Sequence, residues 1–496
     1  MSQPAYDLVV IGSGPAGQKA ALNAAKLGKR VALVEREHLV GGVCIHTGTI
    51  PSKAIREAVL HLTGIRERSL YGNAYAVKQN ITMADLLYRC RHVVQTEVDV
   101  IRAQMSRNGV NMLFGTASFV DPNTLRVTSN HDIDGDGAAD SYEVKAKHIL
   151  IACGTEPARP ANVPFTANKV IDSNELLKLA ELPKSMIIVG GGVIGVEYAC
   201  MLAATGVHMT LVESRPRLLE FVDDEIGESL QFRLREMGIR LRLGESVDHI
   251  DIVDDGKGGH VEATLKSRKK VCAETLLYAI GRQGATEGLN LPAAGLTADN
   301  RGRLKVNETY QTEVPHIYAA GDVIGFPALA ATSMEQGRLA AGHMFHQMTE
   351  AVSPLFPYGI YTIPEISMVG QTEQSLTQSN TPYEVGIARY REIARGQLIA
   401  DPHGLLKLLF HPDSRRLLGV HAIGTGATEL IHIGQTVMAA GLPIDYFVES
   451  VFNYPTLAEC YKVAALDGVN RVRVAHPDAA EDEDPAPADR ARPKAA

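Results

Sequence analysis

Two stretches of this chain are near copies of one another, and that duplication constrains the fold more than any other feature. The first runs Asp7-Leu-Val-Val-Ile-Gly12-Ser-Gly14-Pro-Ala-Gly17 and leads, through a helical stretch, to Val31-Ala-Leu-Val-Glu35. The second runs Ser185-Met-Ile-Ile-Val-Gly190-Gly-Gly192-Val-Ile-Gly195 and leads to Met209-Thr-Leu-Val-Glu213. In each copy 23 positions separate the first glycine from the glutamate, so the copies keep a constant offset of 178 residues. Apolar strand, glycine turn, helix and second strand make a βαβ unit, and two such units predict two related α/β domains.

A lone G-x-G-x-x-G carries little weight and can be no more than a tight strand–helix turn. Here each copy follows an apolar strand, opens a helix and has an acidic residue after the next strand, which is the context a dinucleotide site requires. Gly12, Gly14 and Gly17, and likewise Gly190, Gly192 and Gly195, let backbone N–H groups at a helix start approach a pyrophosphate. Glu35 and Glu213 are placed to accept from ribose hydroxyls. Two such sites imply a relay, with one cofactor resident and the other exchanging. A flavin is the natural resident because it accepts and returns hydride, and the N-terminal copy is the expected FAD site.

Composition narrows the function classes. The formal net charge is -8 with no basic stripe, which argues against nucleic acid as a partner. The six cysteines form no C-x-x-C pair and the histidines show no ligand spacing, so no metal site is expected. Scattered cysteines fit a reducing compartment, and the N-terminus lacks the features of a signal peptide, so a cytoplasmic location is expected. The most apolar window, 186–204, contains three consecutive glycines and Glu197 and breaks into strand, turn and helix, so no membrane span is expected.

The expected architecture is α/β: two Rossmann-like dinucleotide-binding domains plus a C-terminal α+β domain. Residues 1–150 and 281–350 form the FAD-binding domain and 151–280 the NAD(P)-binding domain. Residues 351–468 form the third domain, with strands at 405–410 and 418–423 and a helix at 428–440. Residues 50–110 read as helical, 112–151 as short strands, and 276–281 and 317–320 as buried strands ending in glycine turns. Residues 469–496, rich in Ala, Pro and charge toward their end, are expected to be a disordered tail.

Three further runs are more particular: Gly41-Gly-Val-Cys44-Ile-His-Thr-Gly-Thr49-Ile-Pro-Ser-Lys53, Ala320-Gly-Asp322-Val and Tyr454-Pro-Thr-Leu-Ala-Glu459. They resemble the glutathione reductase and lipoamide dehydrogenase family, and the likeness spreads over residues 5–468. It implies bound FAD and a homodimer built through the C-terminal domain. The departures are informative. The family's redox disulfide joins cysteines at positions equivalent to 44 and 49, and here position 49 is Thr49. The family's catalytic base is a histidine before Pro-Thr, and here Tyr454 stands there. With an ordinary pKa of about 10, tyrosine cannot exchange protons with a thiol near neutrality as histidine does. Glu459, which would orient that histidine, has no imidazole to hold.

Together these departures resemble one branch, the soluble (Si-specific) pyridine nucleotide transhydrogenases. The resemblance implies an enzyme that passes hydride between NAD(H) and NADP(H) through FAD without a disulfide. Carried over, the flavin-binding residues are Gly12, Gly14, Gly17, Glu35, Arg36, Gly42, Cys44, Lys53, Gly115 and Asp322, with Ala330 backing the ring. The nicotinamide nucleotide falls to Gly190, Gly192, Gly195, Glu213 and Gly281. Lys53, Glu197 and Cys44 are the catalytic candidates, Lys53 and Glu197 pairing beside the flavin. Cys44 also reads as a packed small residue without a partner thiol. Glu213 favours NAD(H), whereas Arg215 and Arg217 just beyond it could meet a 2′-phosphate. A diaphorase passing electrons to quinones and a redox-sensing flavoprotein scaffold are the alternative readings. His432 reads as an interface residue. Asp132-Ile-Asp134-Gly-Asp136-Gly137 with Glu143 fits the EF-hand loop pattern. Its strand-like flanks, and Ala139 where a larger apolar residue is usual, favour an acidic hairpin tip.

Removing the chain from Asp478 onward is expected to leave FAD content and dimerisation intact, because this stretch has no apolar pattern able to pack. Gel filtration that returned a monomer after the deletion would overturn this.

Overall fold

The Asp7–Ile11 run is apolar and β-branched, and in the computed structural model it forms the strand Tyr6–Ile11. The structure describes residues 6–72, 74–129, 140–254, 256, 258–347 and 353–475. The Asp132–Gly137 part of the EF-hand-like loop and the chain after Ala475 lie outside the described residues. The described residues fall into two compact units, one of residues up to Leu219 together with Leu234–Pro354, the other of Glu220–Arg233 together with residues from Leu355 onward.

In the first unit, Tyr6–Ile11 lies between Val31–Glu35 and the eleven-residue strand Ser141–Ile151, parallel to both. Asn111–Phe114 extends the sheet beyond Val31–Glu35, and Ile317–Ala319 returns to pair with 149–151. A strand's side chains alternate between faces, and here they feed two separate cores. Leu8 and Val10 pack with Ala20, Ala24 and Met344 from the flanking helices. Val9 and Ile11 pack with Phe119, Leu125 and Val127 of an antiparallel meander. Burial on both faces is why the strand reads as an unbroken apolar run.

The second copy builds a second parallel sheet, ordered Arg240–Leu243, His208–Glu213, Ser185–Val189, Thr275–Tyr278 and Val170–Ile171. The apolar window 186–204 becomes the strand Ser185–Val189 and the helix Val193–Ala204. Among the described residues no helix is long and apolar enough to cross a membrane.

The second unit has an antiparallel sheet ordered Tyr358–Ile360, Ile366–Gly370, Leu417–Ile423, Leu405–Phe410 and Glu384–Arg389, with the helices Ala427–Ala439 and Glu459–Ala475. Two sequence expectations need correction here. The helix from Glu459 runs to Ala475, past the expected start of the tail at 469. Val469 is buried in this unit's core, which keeps the helix going. Residues 220–233 also cluster with this unit rather than with the nucleotide domain to which 151–280 was assigned.

A buried ion cluster explains why 220–233 belongs there. Lys407 lies in an otherwise apolar strand and its side chain is 0% exposed, as is that of Asp223. Its Nζ donates to Asp223 Oδ1 at 2.8 Å and to Glu373, and lies 3.1 Å from Glu225 Oε2. Burial alone would lower the lysine's pKa, but hydrogen bonds to Asp223 and Glu373 outweigh it and raise the value to about 12. A charge buried this deeply is tolerable only while its partners remain.

Lys407→Met is therefore expected to destabilise the protein by about 3–5 kcal/mol in denaturant unfolding, because it strands buried Asp223. Arg471→Ala, which breaks an exposed i,i+4 pair with Asp467, should cost less than about 0.5 kcal/mol. Equal effects would show that the Lys407 cluster does not hold this unit together.

Candidate functional site

The first glycine turn leaves a strand at Gly12 and enters the Pro15–Lys26 helix at Gly14, which caps it in an extended conformation. Gly12 has φ +102, and a Cβ there would lie 2.4 Å from the Ala152 carbonyl oxygen. Gly14 has nothing within 4 Å of its Cβ position, so the helix start is open to a ligand. Gly17 acts differently, since its Cβ would sit 2.0 Å from the Gly12 carbonyl oxygen. Its bare Cα lets the helix lie against the turn that begins it. The second turn repeats this geometry. Gly190 has φ +113 with the Ala279 oxygen at 2.5 Å, Gly192 is open, and Gly195 meets the Gly190 oxygen at 2.0 Å.

Each turn opens on a cleft. The first, of about 900 Å³, is lined by Gly12, Gly14, Glu35, Arg36 and Gly42. Cys44, Gly115, Asp322 and Ala330 reach it from later parts of the chain. The second, of about 590 Å³, is lined by Gly190, Gly192, Glu213, Arg215 and Gly281. Pro157 lines both. Gly17 and Gly195 pack each helix against its own turn, and Lys53 and Glu197 lie just outside the two cleft linings, paired with one another.

Lys53 Nζ donates to Glu197 Oε1 at 3.0 Å and Oε2 at 2.9 Å. Glu197 is buried and Lys53 three-quarters so. Lys53 comes from the helix Thr49–Thr63 and Glu197 from the helix that follows the second glycine turn. The pair thus ties the helix below the first cleft to the helix that heads the second.

Both glutamates already have protein donors. Glu35 Oε2 accepts from the backbone N–H and the hydroxyl of Ser13, at 3.0 and 2.5 Å, and Oε1 accepts from Glu37 N at 3.1 Å. Ser13 Oγ in turn accepts from Gly41 N at 2.8 Å. Ser13 is a site residue that the glycine motif leaves unspecified, and only its place between two glycines hints at it. Glu213 accepts from Gly191 N at 2.6 Å and from the backbone N–H, Nε and Nη2 of Arg215. Burial pushes the Glu213 carboxyl up, but the Arg215 side chain and the two backbone donors hold it down to about 2. Thr155 was also missed. It lines the first cleft and accepts from Arg282 Nε through its hydroxyl at 2.8 Å. Nothing periodic marks either residue.

Burial raises the Cys44 pKa, and the Thr49 hydroxyl partly offsets it. The thiol form prevails at neutrality, and the thiolate is the reactive form. In the second unit Tyr454 is 68% exposed, and the buried Glu459 Oε2 has no hydrogen-bond partner among the described residues. His432 is exposed and bonds to Gln435. Among the described residues no group of three or more His, Cys, Asp or Glu could hold a metal.

Residues 6–337 match the pattern of the pyridine nucleotide-disulphide oxidoreductases, and residues 356–465 match that family's dimerisation domain. A soluble pyridine nucleotide transhydrogenase of Mycobacterium bovis is 54% identical over 468 residues, covering 94% of this chain and 98% of the relative. That of Colwellia psychrerythraea is 45% identical over 471 residues with the same coverage. Among solved structures, the HOCl-induced flavoprotein disulfide reductase RclA of Escherichia coli superposes with a TM-score of 0.82 at 28% identity, covering 93% of this chain and 99% of that one.

Gly195→Ala is expected to force its methyl onto the Gly190 carbonyl and open the second turn. The protein should stay yellow while its affinity for nicotinamide nucleotides falls at least tenfold. Retained affinity, measured by calorimetry, would mean that the turn does not hold the pyrophosphate.

Proposed function

Given that this chain belongs to the pyridine nucleotide-disulphide oxidoreductase family, we propose that it is an FAD-dependent NAD(P)+ transhydrogenase that exchanges hydride between NAD(H) and NADP(H) without a redox disulfide. The observation that carries this is that Thr49, not a second cysteine, lines the first cleft together with Cys44. Two full dinucleotide clefts are present, yet the described chain offers no second thiol at that position to take electrons onward.

The first cleft fits FAD on its own geometry. Gly14 leaves the helix start bare, and a Cβ on Gly42 would close to 3.0 Å of the Gly14 Cα, so both positions keep the cradle open. Gly12, Gly14 and the helix N-terminus would hold the pyrophosphate. Glu35 Oε1 would take a ribose hydroxyl, and Asp322, steadied by Ser333 Oγ at 3.3 Å, would hold the ribityl chain. Arg36, paired with Glu156 at 2.8 Å, borders the same cleft, as do Gly115 and Ala330. Bound FAD supplies reversible two-electron hydride chemistry. The protein's part is positioning: the second cleft receives NADH or NADPH, and the Lys53–Glu197 pair keeps a positive charge at the junction of the two. Either nucleotide leaves oxidised before the other enters, a ping-pong order. Residues 1–150 and 281–350 would serve FAD, 151–219 and 234–280 the nucleotide, and the dimerisation domain would pair two copies into a homodimer in the cytoplasm.

Cys44→Ser is expected to keep FAD bound and to retain most of the transhydrogenase rate. The assay is anaerobic: NADH bleaches the flavin absorbance and thio-NADP+ restores it. A variant that binds FAD but cannot complete this cycle would show that the thiol takes part.

A further inference from the structure

In the second cleft, two neighbouring groups suit different nucleotides and are bonded to each other. Glu213 ends the strand His208–Glu213 and is buried. A carboxylate at that place accepts the 2′-hydroxyl of NAD(H) and repels the 2′-phosphate of NADP(H). Two residues on, Arg215 carries the planar fork that suits a phosphate. The guanidinium lies on the carboxylate, with Nε 3.0 Å from Oε1 and Nη2 3.1 Å from Oε2. Oε1 also accepts from Arg215 N at 2.9 Å and Ser214 Oγ at 3.1 Å, and Oε2 from Gly191 N at 2.6 Å. Five donors therefore meet a group with about four lone-pair sites. While Arg215 stays in place, a ribose hydroxyl finds no open acceptor on Glu213.

The two partners differ in freedom. Glu213 is fixed by backbone donors that remain if the guanidinium departs, so the carboxylate would not be stranded. The Arg215 side chain is 44% exposed and borders the cleft, so it can swing without unpacking the core.

We propose that the Glu213–Arg215 pair selects the nucleotide by opening for either one. With NADP(H), the guanidinium leaves Glu213 for the 2′-phosphate and shields it from the carboxylate. With NAD(H), it leaves for solvent and the 2′-hydroxyl takes the acceptor site that it vacates. One pair thereby lets a single cleft take both nucleotides, each against the same closed ground state. This rests on the transhydrogenase reading, which needs both nucleotides to use this cleft.

The test uses the FAD-loaded protein and two adenosine fragments, 5′-AMP and 2′,5′-ADP, which differ at the ribose 2′ position. Binding is measured by calorimetry. Arg215→Gln should weaken 2′,5′-ADP by on the order of ten- to a hundredfold, and leave 5′-AMP unchanged or tighter because Glu213 is unmasked. Arg215→Lys, which keeps the charge but loses the fork, should fall between. Glu213→Gln should weaken 5′-AMP several-fold and tighten 2′,5′-ADP. Equal changes for both fragments in Arg215→Gln, or weaker 2′,5′-ADP binding in Glu213→Gln, would overturn the inference. Its failure is separable from that of the functional reading. A wild-type protein that completes the NADH to thio-NADP+ cycle while the fragments respond alike keeps the function and loses the switch. Fragments that split as expected in a protein that cannot complete the cycle keep the switch and lose the function.

Discussion

A helix can lie against the turn that starts it only where a side chain is missing. At Gly17 and at Gly195 a Cβ would stand 2.0 Å from a carbonyl oxygen, closer than any atom can come. Everything else in the two clefts depends on this contact. It sets the angle of each helix to its strand, directs the helix's free N–H groups at the space beyond the sheet, and brings the turn under the glutamate of the next strand. The third glycine of each motif is thus a packing residue, while the second leaves the helix start open.

Charge is handled in two ways in this molecule. In the clefts, carboxylates are buried but given backbone donors. Glu35 is held by Ser13 and Glu37, and Glu213 by Gly191 and Arg215, so each buried carboxylate has donors and ties its glycine turn to the next strand. In the second unit, Lys407 is buried outright and is compensated by carboxylates drawn from separate segments. The first arrangement prepares a surface for a ligand. The second fastens Glu220–Arg233 to a sheet more than a hundred residues further along the chain.

Thr49 lines the first cleft together with Cys44, whose pKa burial raises. In the second unit Glu459 Oε2 is buried without a hydrogen-bond partner among the described residues, and Tyr454 is exposed.

Local pattern was enough to determine the two βαβ units, the C-terminal strands at 405–410 and 418–423, and Gly12, Gly14, Glu35, Cys44, Gly115, Asp322 and Ala330 as residues that line the first cleft. These depend on strand periodicity, glycine placement and short motifs, which are written in consecutive residues. Tertiary structure alone decided the rest. Ser13 is bound to Glu35 across 22 positions, Lys53 to Glu197 across 144, and Lys407 to Asp223 across 184. No periodicity links such pairs. Whether Lys53 faces a ligand or a carboxylate depends on which helix arrives beside it. Arg215 is the intermediate case. Its nearness to Glu213 is plain in the sequence, but that the two are bonded, and so compete with the nucleotide, depends on the direction in which one flexible side chain folds.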